Sequence, residues 1–351
     1  MKTLAFVEPG KVEFREREAP SLGGPGEALV RPLAVARCDL DFVLARGKAP
    51  IAGPFPLGHE CVAEVVEVGH GVTGFAPGDR VIVPFQVSCG GCACCRKGRT
   101  SSCLSVPNLA AYGLGPLSSG AIYGGAIAEM IGVPFADAML VKLDPRLSPI
   151  AAAALADNAV DGLRTVRDAL AREPGAPVLV AAGGAPSIAL YAVSAARALG
   201  ASEVVYVDPS RKGAEIAAAL GARVVLEKAT PALRVGRFPI TVDATGRAEG
   251  LRFCLASTDA WGECTSIGIY FEDVALPLFD MYARGVRFVT GRVDARALLP
   301  EALALAAEGR LALEPIVTRV VGWDDAPTAW IEPTVKLVVA RAPLLEDERS
   351  P

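Results

Sequence analysis

From residue 1 to about residue 150, apolar and polar positions alternate in short runs such as EALVRPLAVAR, HECVAEVVEVG and GDRVIVPF, with Gly and Pro between them. Alternation with a period of two puts one face of a segment on a core and the other in water, so this half predicts short strands and turns. The pattern changes at SPIAAAALADNAVDGLRTVRDAL, where an alanine-rich helical periodicity begins. From Val178 onward the order is strand VLVAA, helix SIALYAVSAARALG, strand EVVYVD, helix GAEIAAALG and strand RVVL, then strands ITVDAT and WGECTSIGI. Strands alternating with helices predict a parallel, doubly wound sheet, and hence an α/β chain. After about residue 295 a helix, PEALALAAEGRL, leads to PIVTRVVGW and a last strand, VKLVVAR. The expected organisation is a β-rich domain made of residues 1–155 and 296–351, with an α/β domain of residues 156–295 inserted into it.

Composition narrows the choice of partner. A chain of 351 residues suits two domains, and 52% apolar with 21% charged residues, free of low-complexity tracts, is globular throughout. A net charge of -4 argues against an electrostatic grip on nucleic acid or anionic lipid and points to a small, neutral or modestly polar partner. The N-terminal MKTLAFVEPGKVEFREREAP lacks the apolar core of a secretory signal, and no run reaches the roughly 18 apolar residues of a membrane span. A cytoplasmic location is therefore expected, where thiols stay reduced.

That matters for SCGGCACCRKGRTSSC, residues 88–103, which holds five of the nine cysteines. The spacing lets Cys89, Cys92, Cys95 and Cys103 converge on one ion, as in a closed structural zinc site, with Cys94 a spectator. A lobe of about residues 88–104 has too little apolar material to fold unaided, and a metal would hold it. An iron–sulfur or redox-active cluster is the alternative.

His59 is one of two histidines and needs partners to be a ligand. GHEC followed by VAEVVEVGHGVTGFAPGDRV, with Cys38 upstream in ARCDLD and the cysteine loop downstream, resembles the zinc-containing alcohol and polyol dehydrogenases of the medium-chain dehydrogenase/reductase family. The likeness runs from MKTLAFVEPG to VKLVV. It implies a GroES-like catalytic domain and a Rossmann-type cofactor domain. It further implies that Cys38 and His59 are ligands of a catalytic zinc, with Glu60 the acidic residue beside it and Asp157, in ALADNAVDG, the third ligand. Such a set leaves a fourth position open for water or a substrate oxygen. Asp41 resembles the carboxylate that holds the His59 imidazole, and Lys336 the cation that the family places near it; an ordinary surface pair is the alternative for both. His70, in GHGV, is expected only to be solvated.

Dinucleotide folds place Gly-x-Gly-x-x-Gly between the first strand and helix, where backbone approaches the pyrophosphate. VLVAAGGAPSIALYAV departs from this. One register takes Ala182, Gly184 and Ser187; another, measured back from Asp208 in VVYVDPS, makes Ala189 the third position and the loop two residues longer. In either, Gly183 and Gly184 offer bare backbone, with Ala185 and Ile188 completing the candidate loop. Asp208 favours the free 2′-hydroxyl of NAD over NADP, while Arg211 and Lys212 weaken that preference. VDATG (242–246) and SIGIY (266–270), with Ile267 and Gly268, resemble the family's strand ends over the nicotinamide.

Two departures bear on substrate. Leu40 stands where the family commonly has a proton-relaying Ser or Thr, and Asp161 where it has Thr before Gly162. Asp161 either favours the positively charged oxidised cofactor, accepts the proton that Leu40 cannot move, or points to water. The resemblance implies hydride transfer between a secondary alcohol or polyol, or its carbonyl, and NAD. The alternatives are a related zinc enzyme turned to aldehyde dismutation or activated double-bond reduction, and a non-catalytic zinc- and nucleotide-binding protein. The resemblance also implies a homodimer or homotetramer, with no nucleic-acid or membrane partner. The substrate itself would meet loops such as NLAAYGLGPLSSG and YFEDVALPLFDMYARG, whose shape no spacing rule reads.

Overall fold

The computed structural model describes residues 1–49, 51–115, 123–342 and 344, so Pro116 to Gly120 of the expected substrate loop lie outside the described residues. The chain divides into two compact units: Met1–Asp157 with Asp294–Ala307 and the segment from Val317, and Asn158–Val293 with Glu308–Ile316. Among the described residues no helix is long and apolar enough to cross a membrane.

The first unit is built around strand Ala28–Ala36, whose ALVRPLAVA is buried at every position but Arg31. Glu60–Val68 pairs antiparallel along one side of it and Leu337–Ala340 along the other. The register sets the site, because Ala36 lies opposite both Glu60 and Val338. Three strand ends therefore meet at one edge of the sheet: Cys38 lies just beyond Ala36, His59 just before Glu60, and Lys336 just before Leu337. The sheet continues on one side through Arg80–Val83 to Val141–Lys142 and on the other to Arg319–Gly322. A smaller sheet joins Lys11–Glu16, Lys2–Glu8 and Phe55–Pro56.

The second unit carries a six-stranded parallel sheet in the order Arg223–Val225, Val204–Val207, Val178–Ala182, Phe238–Ala244, Thr258–Ser266 and Arg287–Thr290. The chain order along it reverses at Val178–Ala182, as in doubly wound sheets. Helix Ala248–Ser257, helix Leu278–Arg284 and the last strand, Arg287–Thr290, carry weaker sequence patterns and were not among the expected elements.

The alanine-rich periodicity is not one helix. Pro149–Ala152 and the 3-10 turn Ala153–Ala156 end at Asp157, which leaves helical conformation (φ -152, ψ -77) before Asn158–Arg172 begins. This second helix crosses Pro186–Ala198 at Gly162, where an added Cβ would lie 2.6 Å from the Cβ of Tyr191 and 2.7 Å from the backbone nitrogen of Ala192. Neither neighbour is a flexible chain end, so the helices must separate to admit a methyl group. Gly162→Ala is expected to cost about 1–3 kcal/mol of stability, read from the shift in denaturant midpoint at unchanged slope.

Candidate functional site

The sulfur of Cys38, an imidazole nitrogen of His59, and carboxylate oxygens of Glu60 and Asp157 all lie within 4.8 Å of one another, and all four residues are buried. His59 Nε2 is 3.3 Å from Asp157 Oδ2. Two ligands bound at about 2.0–2.1 Å in a tetrahedron stand about 3.3 Å apart, so this pair has the spacing of zinc ligands without adjustment. The other imidazole nitrogen, Nδ1, faces Asp41 Oδ1 at 3.4 Å. Asp41 is itself fixed, because its Oδ2 accepts the Cys38 backbone N–H at 3.1 Å in the first turn of helix Asp39–Ala45. Phe85 tilts against the imidazole, with ring centroids 5.5 Å apart.

Burial dominates the electrostatics. It pushes the Cys38 thiol up to about 12, with the nearby Asp157 carboxylate adding to it. It pushes Glu60 up to about 8 although Lys336 pulls the other way. For His59 burial favours the neutral ring, but Asp41 and Asp157 outweigh it and hold the imidazole well above its ordinary value. Three potential anions crowded in a dry pocket around one imidazole form a set that a divalent cation completes.

Lys336 and Asp41 are not a surface pair. Both are wholly buried, and Lys336 Nζ donates to both Glu60 oxygens at 2.6 and 2.9 Å and to the Arg37 carbonyl at 3.1 Å. Removing the cation would strip the buried Glu60 carboxyl of its partner and push its pKa higher still, leaving it protonated and without its two bonds from Lys336. Lys336→Met is expected to lower stability by about 3–5 kcal/mol, measured by denaturant unfolding, and adding Glu60→Leu should recover part of that loss.

The second ligand group is Cys89, Cys92, Cys95 and Cys103. Cys92 Sγ and Cys103 Sγ are 4.0 Å apart, near the roughly 3.8 Å edge of a zinc–sulfur tetrahedron and far beyond a disulfide bond. Backbone amides aim at the sulfurs: Cys95 N and Leu104 N donate to Cys92 at 3.5 and 3.4 Å, and Cys89 N donates to Cys103 at 3.3 Å. Those amides bring the Cys92 thiol down to about 6, while burial sends Cys95 up to about 12. Cys94 lies outside the group.

The turn after Val178–Ala182 explains its two glycines. Gly184 N donates to the Thr245 carbonyl at 2.9 Å and Ala185 N to that of Ala244 at 3.0 Å. A Cβ on Gly184 would lie 2.8 Å from the Thr245 oxygen. The helix starts at Pro186, which places the Ala182, Gly184 and Ser187 register across the turn and puts Ala189 inside the helix. Ser187 is buried, and its hydroxyl donates to Asn158 Oδ1 at 2.9 Å. Ile188 is buried in the same first turn. Ile267, buried, and Gly268 follow the end of Thr258–Ser266, and Gly268 lies against the Tyr270 ring.

Asp208 is 3% exposed; it accepts from the Tyr206 hydroxyl at 2.8 Å and the Ser210 amide at 2.9 Å, and burial raises its pKa. Arg211 and Lys212 are exposed beside it. Asp161 does not simply face water: Arg164 Nε donates to it at 2.7 Å one turn along the helix. Leu40 is half-buried in the first turn of its helix, and His70 is exposed. The residue that sequence reasoning missed is Arg37, whose buried guanidinium spans carbonyls nearly 300 positions away.

Comparison with known proteins gives the family. Residues 24–145 match the family model for the alcohol dehydrogenase GroES-like domain, and residues 187–308 the model for zinc-binding dehydrogenases. The medium chain reductase/dehydrogenase ucsI of Acremonium sp is 30% identical over 296 residues, covering 80% of this chain and 98% of that protein. S-(hydroxymethyl)glutathione dehydrogenase of Escherichia coli is 29% identical over 335 residues, covering 87% and 89%. Among solved structures, the alcohol dehydrogenase TADH from Thermus sp. ATN1 superposes with a TM-score of 0.88 at 30% identity, over 97% of this chain and all of that one.

Proposed function

Because the chain belongs to the zinc-type medium-chain dehydrogenase/reductase family of oxidoreductases, we propose that it moves a hydride between a secondary alcohol or polyol, or the corresponding carbonyl, and NAD. The observation that carries this reading is the buried group of Cys38, His59, Glu60 and Asp157. Cys38, His59 and Asp157 hold a catalytic zinc, and Cys89, Cys92, Cys95 and Cys103 a structural one. Zinc bound there supplies Lewis-acid polarisation of the substrate oxygen.

The protein's part is to orient and to exclude water. Asp41, against His59 Nδ1, keeps Nε2 turned toward the metal position. Lys336 holds Glu60 close to the ligands without letting it act as an unpaired charge. In the second unit, the turn at Gly183 and Gly184 and the helix start at Ser187 and Ile188 would hold a dinucleotide's pyrophosphate. Asp208 supports NAD. NADP is the second reading, favoured by exposed Arg211 and Lys212 and by the internal bonds that occupy Asp208. The assembly is a homodimer or homotetramer.

The test is formation or loss of reduced-nicotinamide absorbance with NAD and separately NADP, across primary alcohols, secondary alcohols, polyols and aldehydes, on zinc-replete protein. Turnover of one class that Cys38→Ser abolishes supports the reading. Silence from protein that holds two zinc ions and binds NAD favours a repurposed reaction. Silence without nucleotide binding rejects the dehydrogenase. Since Arg164 already pairs with Asp161, Asp161→Asn is expected to leave the pH profile of turnover unchanged; a shifted profile would make Asp161 the proton acceptor.

A further inference from the structure

We infer that Arg37 is a positioning residue for the group of Cys38, His59, Glu60 and Asp157, tying together the turn that presents Cys38 and the two segments whose Asp41 and Lys336 brace His59 and Glu60. The inference rests on reading that group as the catalytic metal site. Arg37 directly precedes Cys38 and is 3% exposed. Its Nη1 donates to the carbonyls of Ala329 (3.4 Å), Trp330 (2.6 Å) and Glu332 (2.8 Å), and its Nη2 to that of Thr334 (3.3 Å). These carbonyls belong to the end of helix Ala326–Trp330 and to the turn that follows, which delivers Lys336 to Glu60.

The guanidinium also lies over the Phe42 ring, 4.7 Å from its centroid. Phe42 is in helix Asp39–Ala45, the helix that brings Asp41 to His59. The backbone of Arg37 closes the circuit: its N–H donates to Leu337 O at 2.9 Å, and its carbonyl accepts from Lys336 Nζ at 3.1 Å. One residue thus joins the Cys38 turn, the Asp41 helix and the Lys336 strand.

The chemistry requires arginine. A planar fork with five N–H donors can serve several carbonyls at once while its face stacks on a ring, whereas an ammonium is a point donor and methionine gives none. Burial draws the Arg37 guanidinium down to about 10, which leaves it charged at neutral pH. With its charge facing carbonyl dipoles, the side chain cannot move without stranding both.

The test uses Arg37→Lys and Arg37→Met in the full chain, loaded with cobalt(II) in place of zinc. Wild type is measured first. Uptake of two cobalt ions, with visible bands that Asp157→Ala alters, upholds the site reading; uptake of one ion, at the four cysteines, overturns that reading irrespective of Arg37. Given two ions, the variants are expected to show shifted d–d bands from the Cys38 site, faster loss of that ion to a chelator, and a kcat about tenfold lower at unchanged cofactor KM. Bands, chelation rate and kcat identical to wild type would overturn the positioning role while leaving the site intact. If neither Arg37 variant folds, Phe42→Leu removes the stacking platform, which Arg46 also approaches, while sparing the guanidinium's carbonyl bonds, and should shift the same bands; unshifted bands would then make Arg37 a folding residue and overturn the proposal.

Discussion

Asp157→Ala is expected to lower turnover about a thousandfold, equivalent to about 4 kcal/mol of barrier, and to lower zinc from two ions per chain to one. The reason is placement. Asp157 stands in the break between the 3-10 turn Ala153–Ala156 and helix Asn158–Arg172, so neither helix absorbs its side chain. Its Oδ2 lies 3.3 Å from His59 Nε2, at the separation of two ligands on one tetrahedral ion. Alanine leaves Cys38 and His59, with Glu60 the remaining carboxylate in reach. Glu60, however, is held by Lys336 at 2.6 and 2.9 Å and gives up that pair only at the cost of a buried lysine. Asp157→Cys supplies another anionic ligand from the same break and should retain two zinc ions. Metal content and turnover on the same preparations check both variants. Full zinc and full activity in Asp157→Ala would remove Asp157 from the ligand set.

The site's parts were legible to different degrees, according to how far apart in sequence their partners lie. The four cysteines sit within 15 residues of one another, so spacing alone announces their convergence, and the structure groups those four without Cys94. Cys38, His59 and Asp157 are joined by strand register and a helix break rather than by spacing, and only the family likeness related them before the fold was known. The break at Asp157 was hidden because ALADNAVDGL carries enough alanine and leucine to read as unbroken helix. The Lys336–Glu60 pair spans 276 positions, and nothing local distinguishes Lys336 from a solvated lysine. Arg37 was invisible for a related reason: its partners are backbone carbonyls, which have no residue identity to find. Conversely, the loop that departs from the glycine pattern has a local reason in the fold: Thr245 approaches Gly183 and Gly184, and Ser187 bonds Asn158.

The largest structural effect is expected at the cysteine lobe. Cys103→Ser should release one zinc and open residues 88–104, while the rest of the first unit keeps its sheets. The lobe has no strands, only the single 3-10 turns Cys95–Lys97 and Thr100–Ser102, and it buries only Ser88, Cys95, Thr100 and Cys103, no large apolar side chain among them. Binding energies of structural zinc, about 10–16 kcal/mol in small metal-folded peptides, greatly exceed what such turns supply. The lobe's attachments to the unit include Ser101 N donating to Asp294 at 2.8 Å and the close packing of Gly90 against Ala138; these can dock an ordered lobe but not create one. Arg96, Lys97 and Arg99 are exposed within it, so local opening converts three basic residues into trypsin sites. Cys103→Ser should therefore be cut there rapidly, and chelator-treated wild type should behave the same way. Cys94→Ser, which changes a thiol outside the ligand group, should keep both zinc ions and resist. Equal resistance in Cys103→Ser after loss of one zinc ion would mean that hydrogen-bonded turns, not metal, hold the lobe, and the four convergent sulfurs would need another explanation.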